Sequence, residues 1–296
     1  MLGIHTVYTK PKSVFDDKSV HENQYLFEVL TMVLSCLNWK RHCGPIKLYC
    51  DQPFYDYIDD LELLWLWDEI DTETIQNIPG DYDSNIYWAY AKVYINSLQT
   101  QPFASLDTDL YIRGGFKEGD FDILFCNIEK CDNKFGYPPY HKMEEYNEHL
   151  IFDGVNDYAA NVALLVVNDL DFYKEYVNVV NEFVFNTKKG PLEGSAQSSL
   201  MTFTEQRILY GMLVDYNKKF DHHVEGMYDS GTTLFEDEWF NANNLTHLWG
   251  WKHMWKLERN EHKRNKLTNE LIEEVMNDFP DDWDKCYTML RKVKFI

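Results

Sequence analysis

The chain has 296 residues, 45% of them apolar and 16% aromatic, enough for one large α/β domain with an appendage and a core of its own. Its 28 Lys and Arg stand against 49 Asp and Glu, a net charge of -21, so a nucleic-acid backbone would meet a repulsive surface. A phosphorylated ligand would need a divalent cation or a few placed lysines to be tolerated.

The six cysteines, Cys36, Cys43, Cys50, Cys126, Cys131 and Cys286, form no CxxC pair and read as reduced thiols. A zinc site built on Cys126 and Cys131 lacks a second ligand pair at structural-zinc spacing. The opening MLGIHTVYTKPK has no basic region followed by a long apolar one, and no run of about 20 apolar residues occurs. The expectation is a cytoplasmic protein without a membrane span.

In chain order, Gly3 to Tyr8 reads as a strand and Val20 to Trp39 as a helix, with Leu26, Val29, Leu30, Val33, Leu34 and Leu37 on its apolar face. Ile46 to Cys50 and Leu63 to Trp67 read as strands, and Ile86 to Leu98 as a helix that Pro102 ends. The next strand holds Asp107 and Asp109; Phe121 to Cys126 and Asn161 to Val167 are further strands. Helices over Phe172 to Phe185 and Ser198 to Tyr216 flank the turn-rich KKGPLEGS. The strands stop after His247, and the tail from Trp251 reads as two or three charged helices broken at Pro280. Strands alternating with helices predict a mainly parallel sheet with helices on both faces and ligands beyond the strand ends.

The stretch SLDTDLYI sets two acids one residue apart in an apolar run. On a strand, alternate side chains point the same way, so both carboxylates would be aimed together, with Cα atoms roughly 7 Å apart. Two such charges repel, and a hard divalent cation, Mg²⁺ or Mn²⁺, removes the repulsion while keeping positions for phosphate oxygens. Two solvated acids at a turn are the plainer alternative. A phosphatase of the haloacid-dehalogenase type fits less well, since its paired acids usually close the first strand and Tyr111 stands where Thr or Val is usual.

The run YWAYAKVYINSLQTQPFASLDTDLYI, then NVALLVV, TEQRIL and HLWGWK, resembles in order and spacing the metal-dependent glycosyltransferases of the GT-A fold, and among these the family 8 type that includes lipooligosaccharide galactosyltransferases and glycogenin. The resemblance implies a Rossmann-like GT-A domain over residues 1–250 and a helical C-terminal extension over 251–296. It also implies a nucleotide-sugar donor, a UDP-sugar by preference, and Mn²⁺ or Mg²⁺ on its diphosphate. Asp107, Asp109 and His247 would be the metal ligands. Lys92, Thr108, Asn161, Gly250 and Lys252 would touch the donor, with His5, Thr6, Val7 and Tyr8 at the end of the first strand about its base. Glu205 and Gln206 would flank the anomeric carbon. The sequence departs from the family in several places: Lys92 stands where Arg is commoner, Asn161 is followed by Val162 and Ala163 rather than x-Gly, Glu205 replaces the commoner Asp, and Lys252 comes one residue early without the Pro-Trp that usually follows.

Cleaving a sugar from a diphosphate requires stabilising the departing diphosphate, which a cation and Lys252 would supply, and stabilising a cation-like anomeric carbon, which Glu205 and Gln206 would supply. If the family resemblance holds, the anomeric configuration is retained; an inverting enzyme would need a carboxylate base, for which Asp153 and Asp157 are candidates. The acceptor, a glycan, lipid-linked or protein molecule, is not legible, although the basic and aromatic KHMWKLERNEHKRNK could meet an anionic one. Two other classes share parts of the pattern. A metal-dependent sugar-phosphate nucleotidyltransferase or phosphohydrolase lacks its Gly-rich basic loop near the first strand. A non-catalytic sugar-binding protein would have no use for Asp107, Asp109 and His247 together.

Overall fold

The computed structural model describes residues 1–10, 25–79, 82–131, 158–186, 200–224, 227–229, 244–248 and 260–293. Ten strands and seven helices order them: β1 Leu2–Val7, α1 Leu26–His42, β2 Ile46–Cys50, α2 Gln52–Asp60, β3 Glu69–Asp71, α3 Tyr90–Ser97, β4 Phe103–Leu106, β5 Leu110–Ile112, β6 Ile123–Lys130 and β7 Tyr158–Val167, then α4 Leu170–Asn186, α5 Ile208–Asp215, β8 Phe220–His222, β9 Met227–Asp229, β10 Leu245–His247, α6 Glu261–Asp278 and α7 Trp283–Lys292.

The main sheet runs in the order β3-β2-β1-β4-β7-β6-β8, with β9 also on β6. Every pairing is parallel except those of β7, which lies antiparallel between β4 and β6. This is the mainly parallel α/β sheet that the alternating pattern predicts. Its central strands are buried on both sides, which explains why they read as apolar runs such as ANVALLVV rather than as alternations.

The two sides pack separately. Leu48, Ala104, Leu106, Leu124 and Val166 face α1, α2, α6 and α7, through Phe27, Leu30, Leu34, Ile58, Leu271 and Met289. Ile4, Phe103, Ile123, Leu165 and Val167 face α3, α4 and α5, through Tyr90, Val93, Tyr173, Tyr176, Leu209 and Leu213. Helix α1 is buried over nearly its whole length, which suits its position against the sheet under α6. The Glu28 carboxylate accepts the Tyr25 N–H at 2.8 Å to close its first turn, and Lys40, Arg41 and His42 lie at the negative end of its dipole. At Gly3 there is no room for a side chain: a Cβ would stand 2.4 Å from the Trp39 indole nitrogen.

Several sequence expectations change. Leu63 to Trp67 is not a strand; Leu64–Leu66 forms a single 3₁₀ turn whose apolar side chains fill the core, and the third strand is the more polar Glu69–Asp71. Helix α1 is described from Leu26 and runs on to His42, while Val20 lies outside the described residues. The helix expected over Ser198 to Tyr216 is interrupted by a π turn at Phe203–Arg207. Asp107 and Asp109 are not on a strand: β4 ends at Leu106 and β5 starts at Leu110, so the acids occupy the turn between them. Strand β5 leaves the main sheet and pairs antiparallel with β10 in a separate two-stranded ribbon. The C-terminal helices α6 and α7 flank a 3₁₀ turn at Pro280–Asp282 and contribute Leu267, Leu271, Val275, Cys286, Met289 and Leu290 to the same core that holds α1.

Candidate metal and donor site

Strand β4 sits at the centre of the sheet, between parallel β1 and antiparallel β7, so the chain emerging from its C-terminal end opens at the point where strand direction reverses. The Asp107 N–H donates to the Ala163 carbonyl of β7 at 2.8 Å, and the Leu110 N–H closes the turn on the Asp107 carbonyl at 3.1 Å. The chain then enters the ribbon, where His247 is the register partner of Leu110 and the Leu248 N–H donates to the Asp109 carbonyl at 2.9 Å. The end of a central strand and the ribbon thus bring His247 to two acids about 140 residues earlier in the sequence. The ligand-capable atoms of Asp107, Asp109 and His247 all lie within 4.8 Å of one another, the one such cluster among the described residues.

His247 Nε2 lies 3.6 Å from Asp109 Oδ1, beyond hydrogen-bond length, and this buried nitrogen has no hydrogen-bond partner among the described residues. An imidazole nitrogen buried against carboxylates without a bond is costly unless something binds there. Two carboxylates and an imidazole suit a divalent cation, and the nitrogen shifts the preference from Mg²⁺ toward Mn²⁺. The three residues therefore fit the ion that the sequence pattern implies.

Beside the acids stands a buried ion network. Lys92, on α3, places Nζ 2.8 Å from Asp107 Oδ1, 2.6 Å from Glu205 Oε1 and 3.4 Å from the Val162 carbonyl. Burial by itself would lower the pKa of this ammonium, but the charges of Asp107 and Glu205 outweigh it and hold the pKa well above that of an ordinary lysine. The Glu205 pKa is raised as well: burial raises it, Lys92 opposes the rise, and the Asp107 charge adds to it. The π turn that carries Glu205 is held by Tyr176, whose hydroxyl lies 3.1 Å from the Thr204 carbonyl and 3.0 Å from the Glu205 carbonyl. Gln206, in the same turn, is half-buried.

Asn161, on β7, is 7% exposed; its amide nitrogen donates to Glu129 Oε1 at 2.6 Å and its amide oxygen accepts the Ala163 N–H at 3.1 Å. Glu129 is a neighbour that sequence reasoning missed, because only the β6–β7 register brings it there. Thr108 is half-buried at the crest of the acid turn. At the other flank the register His5 to Leu106 sets Thr6 and Val7 alongside that turn. Val7 and Tyr8 pack, half-buried, on opposite core clusters.

His5 departs from expectation. It is fully buried under α1, with Nδ1 accepting the Trp67 indole N–H at 3.2 Å and Nε2 3.0 Å from Ser35 Oγ. It points into the core rather than to a donor base, since the side chains of β1 alternate between the sheet's two packed faces. Burial pulls its pKa down to about 3. Gly250 and Lys252 lie outside the described residues, as do Asp153 and Asp157. The six cysteines are free thiols, five of them buried.

The sequence profile of a family of unknown function, DUF6734, matches residues 1–289. No curated protein matches the sequence. Among solved structures the chain is similar to apo mouse xyloside xylosyltransferase 1, with 10% identity over 83% of this chain and 96% of that one at a TM-score of 0.39. It is similar to an active-site mutant of LgtC, with 11% identity over 91% and 96% of the two chains at a TM-score of 0.42. It is also similar to the inositol-1-phosphate CTP transferase from T. maritima, with 12% identity over 77% and 84% at a TM-score of 0.36. Among the described residues no helix is long and apolar enough to cross a membrane.

Proposed function

The chain belongs to the DUF6734 family, and we propose that it is a metal-dependent glycosyltransferase of the GT-A type that moves a sugar from a nucleotide-sugar donor to an acceptor hydroxyl. One observation carries the reading: the Asp107, Asp109 and His247 donor atoms converge within 4.8 Å at the C-terminal end of the central strand, while Lys92 joins Asp107 to Glu205 beside them.

Asp107, Asp109 and His247 would hold Mn²⁺ or Mg²⁺, and the bound ion would supply the positive charge that a departing diphosphate needs. Thr6, Val7 and Tyr8 would line the nucleoside half of the donor, a reading supported by the β1–β4 register that runs toward the acid turn. Lys92 pairs with both Asp107 and Glu205 and so holds the Asp107 carboxylate beside the cluster. Glu205, one ion pair away, presents a carboxylate in a low-dielectric wall, where it stabilises positive charge developing at an anomeric carbon more strongly than it would in water. Gln206 and Asn161 supply amide groups for sugar hydroxyls. Retention of configuration, uracil as the base and Mn²⁺ as the ion belong to this proposal by way of the family 8 resemblance.

The test is a screen of nucleotide sugars for binding to the full chain, with and without Mn²⁺, followed by product analysis. Metal-dependent binding, with release of a nucleoside diphosphate and a new glycoside, is the expected result. Release of inorganic pyrophosphate from a nucleoside triphosphate and a sugar phosphate would identify a nucleotidyltransferase instead. Binding without turnover across acceptors would leave a sugar-binding protein.

A further inference from the structure

The ribbon that carries His247, and that Asp109 directly precedes, is small. Only three register pairs join β5 to β10, Ile112 to Leu245, Tyr111 to Thr246 and Leu110 to His247. A two-stranded ribbon of this length is marginal alone, and a slip of one residue would turn every side chain, His247 included, to the opposite face. Something outside the ribbon has to fix its register.

A polar cluster ties the ribbon to Glu274 of helix α6. Glu274 accepts from Arg113 Nε at 2.6 Å and from Arg113 Nη2 at 2.9 Å, one bond to each carboxylate oxygen, and it accepts the Tyr111 hydroxyl at 2.7 Å. Arg113 Nη2 also donates to the Tyr111 oxygen at 2.6 Å, and Nη1 donates to Thr246 Oγ1 at 3.0 Å. The Arg113 N–H, from the main chain, donates to the Asn244 carbonyl at 2.6 Å. Tyr111 and Thr246 are themselves cross-strand partners, so one guanidinium grips both strands at the same rung while a carboxylate 161 residues away grips the guanidinium. The fork-to-fork geometry is the most directional pairing that side chains offer. The next rung along is Leu110 with His247, which leads directly into Asp109.

We propose that Glu274 is a positioning residue for the metal centre: through Arg113 it holds the β5–β10 register and so sets the separation of Asp109 from His247. Helix α6 is on this view a working part of the site, although it contributes no ligand. The inference rests on the reading of Asp107, Asp109 and His247 as a cation site.

The test is Mn²⁺ titration calorimetry, with the electron paramagnetic resonance spectrum of bound Mn²⁺ as a second readout, on the full chain at a temperature well below unfolding. Glu274→Gln is compared with the wild type, with Leu271→Ala, which loosens the apolar face of the same helix but leaves the cluster intact, and with Arg113→Lys, which keeps the charge but loses the fork. Glu274→Gln and Arg113→Lys are expected to weaken Mn²⁺ binding about tenfold and to broaden the spectrum, whereas Leu271→Ala lowers the melting temperature without altering Mn²⁺ affinity. If Glu274→Gln does not fold, Tyr111→Phe carries the test, with an expected weakening of about threefold for the loss of its hydrogen bonds. Wild-type affinity in the cluster variants, or equal weakening in Leu271→Ala, would overturn the proposal while leaving the metal site standing. A wild-type chain that binds no Mn²⁺ would remove the metal site itself and the proposal with it.

Discussion

The Lys92 ammonium lies 2.6 Å from the Glu205 carboxylate, and the two side chains are 12% and 10% exposed. Asp107 completes the group at 2.8 Å from the same nitrogen. Two acids share one base, with Lys92 and Glu205 poorly solvated and Asp107 half-buried, so the balance of charge there is set by a single lysine. Removing one partner of such a group leaves an uncompensated buried charge, which is far costlier than the pair is stabilising.

Lys92→Met should therefore destabilise the protein by about 3–5 kcal/mol at pH 7. The sign with pH follows from Glu205, whose pKa in the folded state is already raised by burial and rises further without Lys92. A carboxyl raised above its unfolded value costs stability as pH rises through that interval, so the deficit of the variant should be smaller at pH 5 than at pH 7. Urea unfolding of both proteins at the two pH values measures this; a deficit independent of pH would mean that Glu205 does not take up the lost charge.

Asp107→Asn, Asp109→Asn and His247→Ala each remove a ligand from the proposed cation site. Loss of an outer-sphere partner already weakens metal sites by about 10- to 100-fold, so each variant should lose about a hundredfold or more in Mn²⁺ affinity. Asp107→Asn alone should also disturb Lys92. Calorimetric Mn²⁺ titration checks all three, and a variant with wild-type affinity would strike that residue from the ligand set.

Glu205→Gln keeps the side-chain length and removes the charge. Turnover should drop by about 10²- to 10³-fold, the usual scale for a preorganised electrostatic group, with a much smaller change in the dissociation constant of the free nucleoside diphosphate. Steady-state kinetics beside diphosphate titration separates the two quantities. Parallel losses would place Glu205 in donor binding rather than beside the reacting carbon.

His5 makes the chain sensitive to acid. Its pKa is near 3 in the folded protein against 6.5 for a free imidazole, so between those values the unfolded chain takes up the proton more readily and stability falls as pH falls. The slope for one group is about 1.4 kcal/mol per pH unit. Unfolding free energies of the wild type and His5→Gln between pH 6 and pH 4 should differ in slope by about that amount. Equal slopes would show that His5 is protonated within the fold.

Residue patterning alone determines much of this protein. The parallel sheet follows from apolar runs of strand length alternating with helical stripes, because burial on both faces leaves that mark on each strand. The pairing of Asp107 with Asp109 stands out for a similar reason: two acids directly after an apolar run must be either solvated or neutralised. His247, Lys92 and Glu205 are visible as residue types at suitable places, yet the contacts among them are not. Strands of three residues, such as β5 and β10, carry no periodicity to read, and the turn holding the acids resembles the middle of a strand because Leu110, Tyr111 and Ile112 continue the apolar run. Burial reassigns His5, since a histidine on a strand gives no sign of which face a later helix will cover. Tertiary packing alone decides the rest. It joins Arg113 to Glu274 across 161 residues, seats α6 in the core beside α1 and sets His247 against Asp109. Patterns record which side of an element avoids water, whereas the direction of a carboxylate depends on which distant group arrives within 3 Å of it.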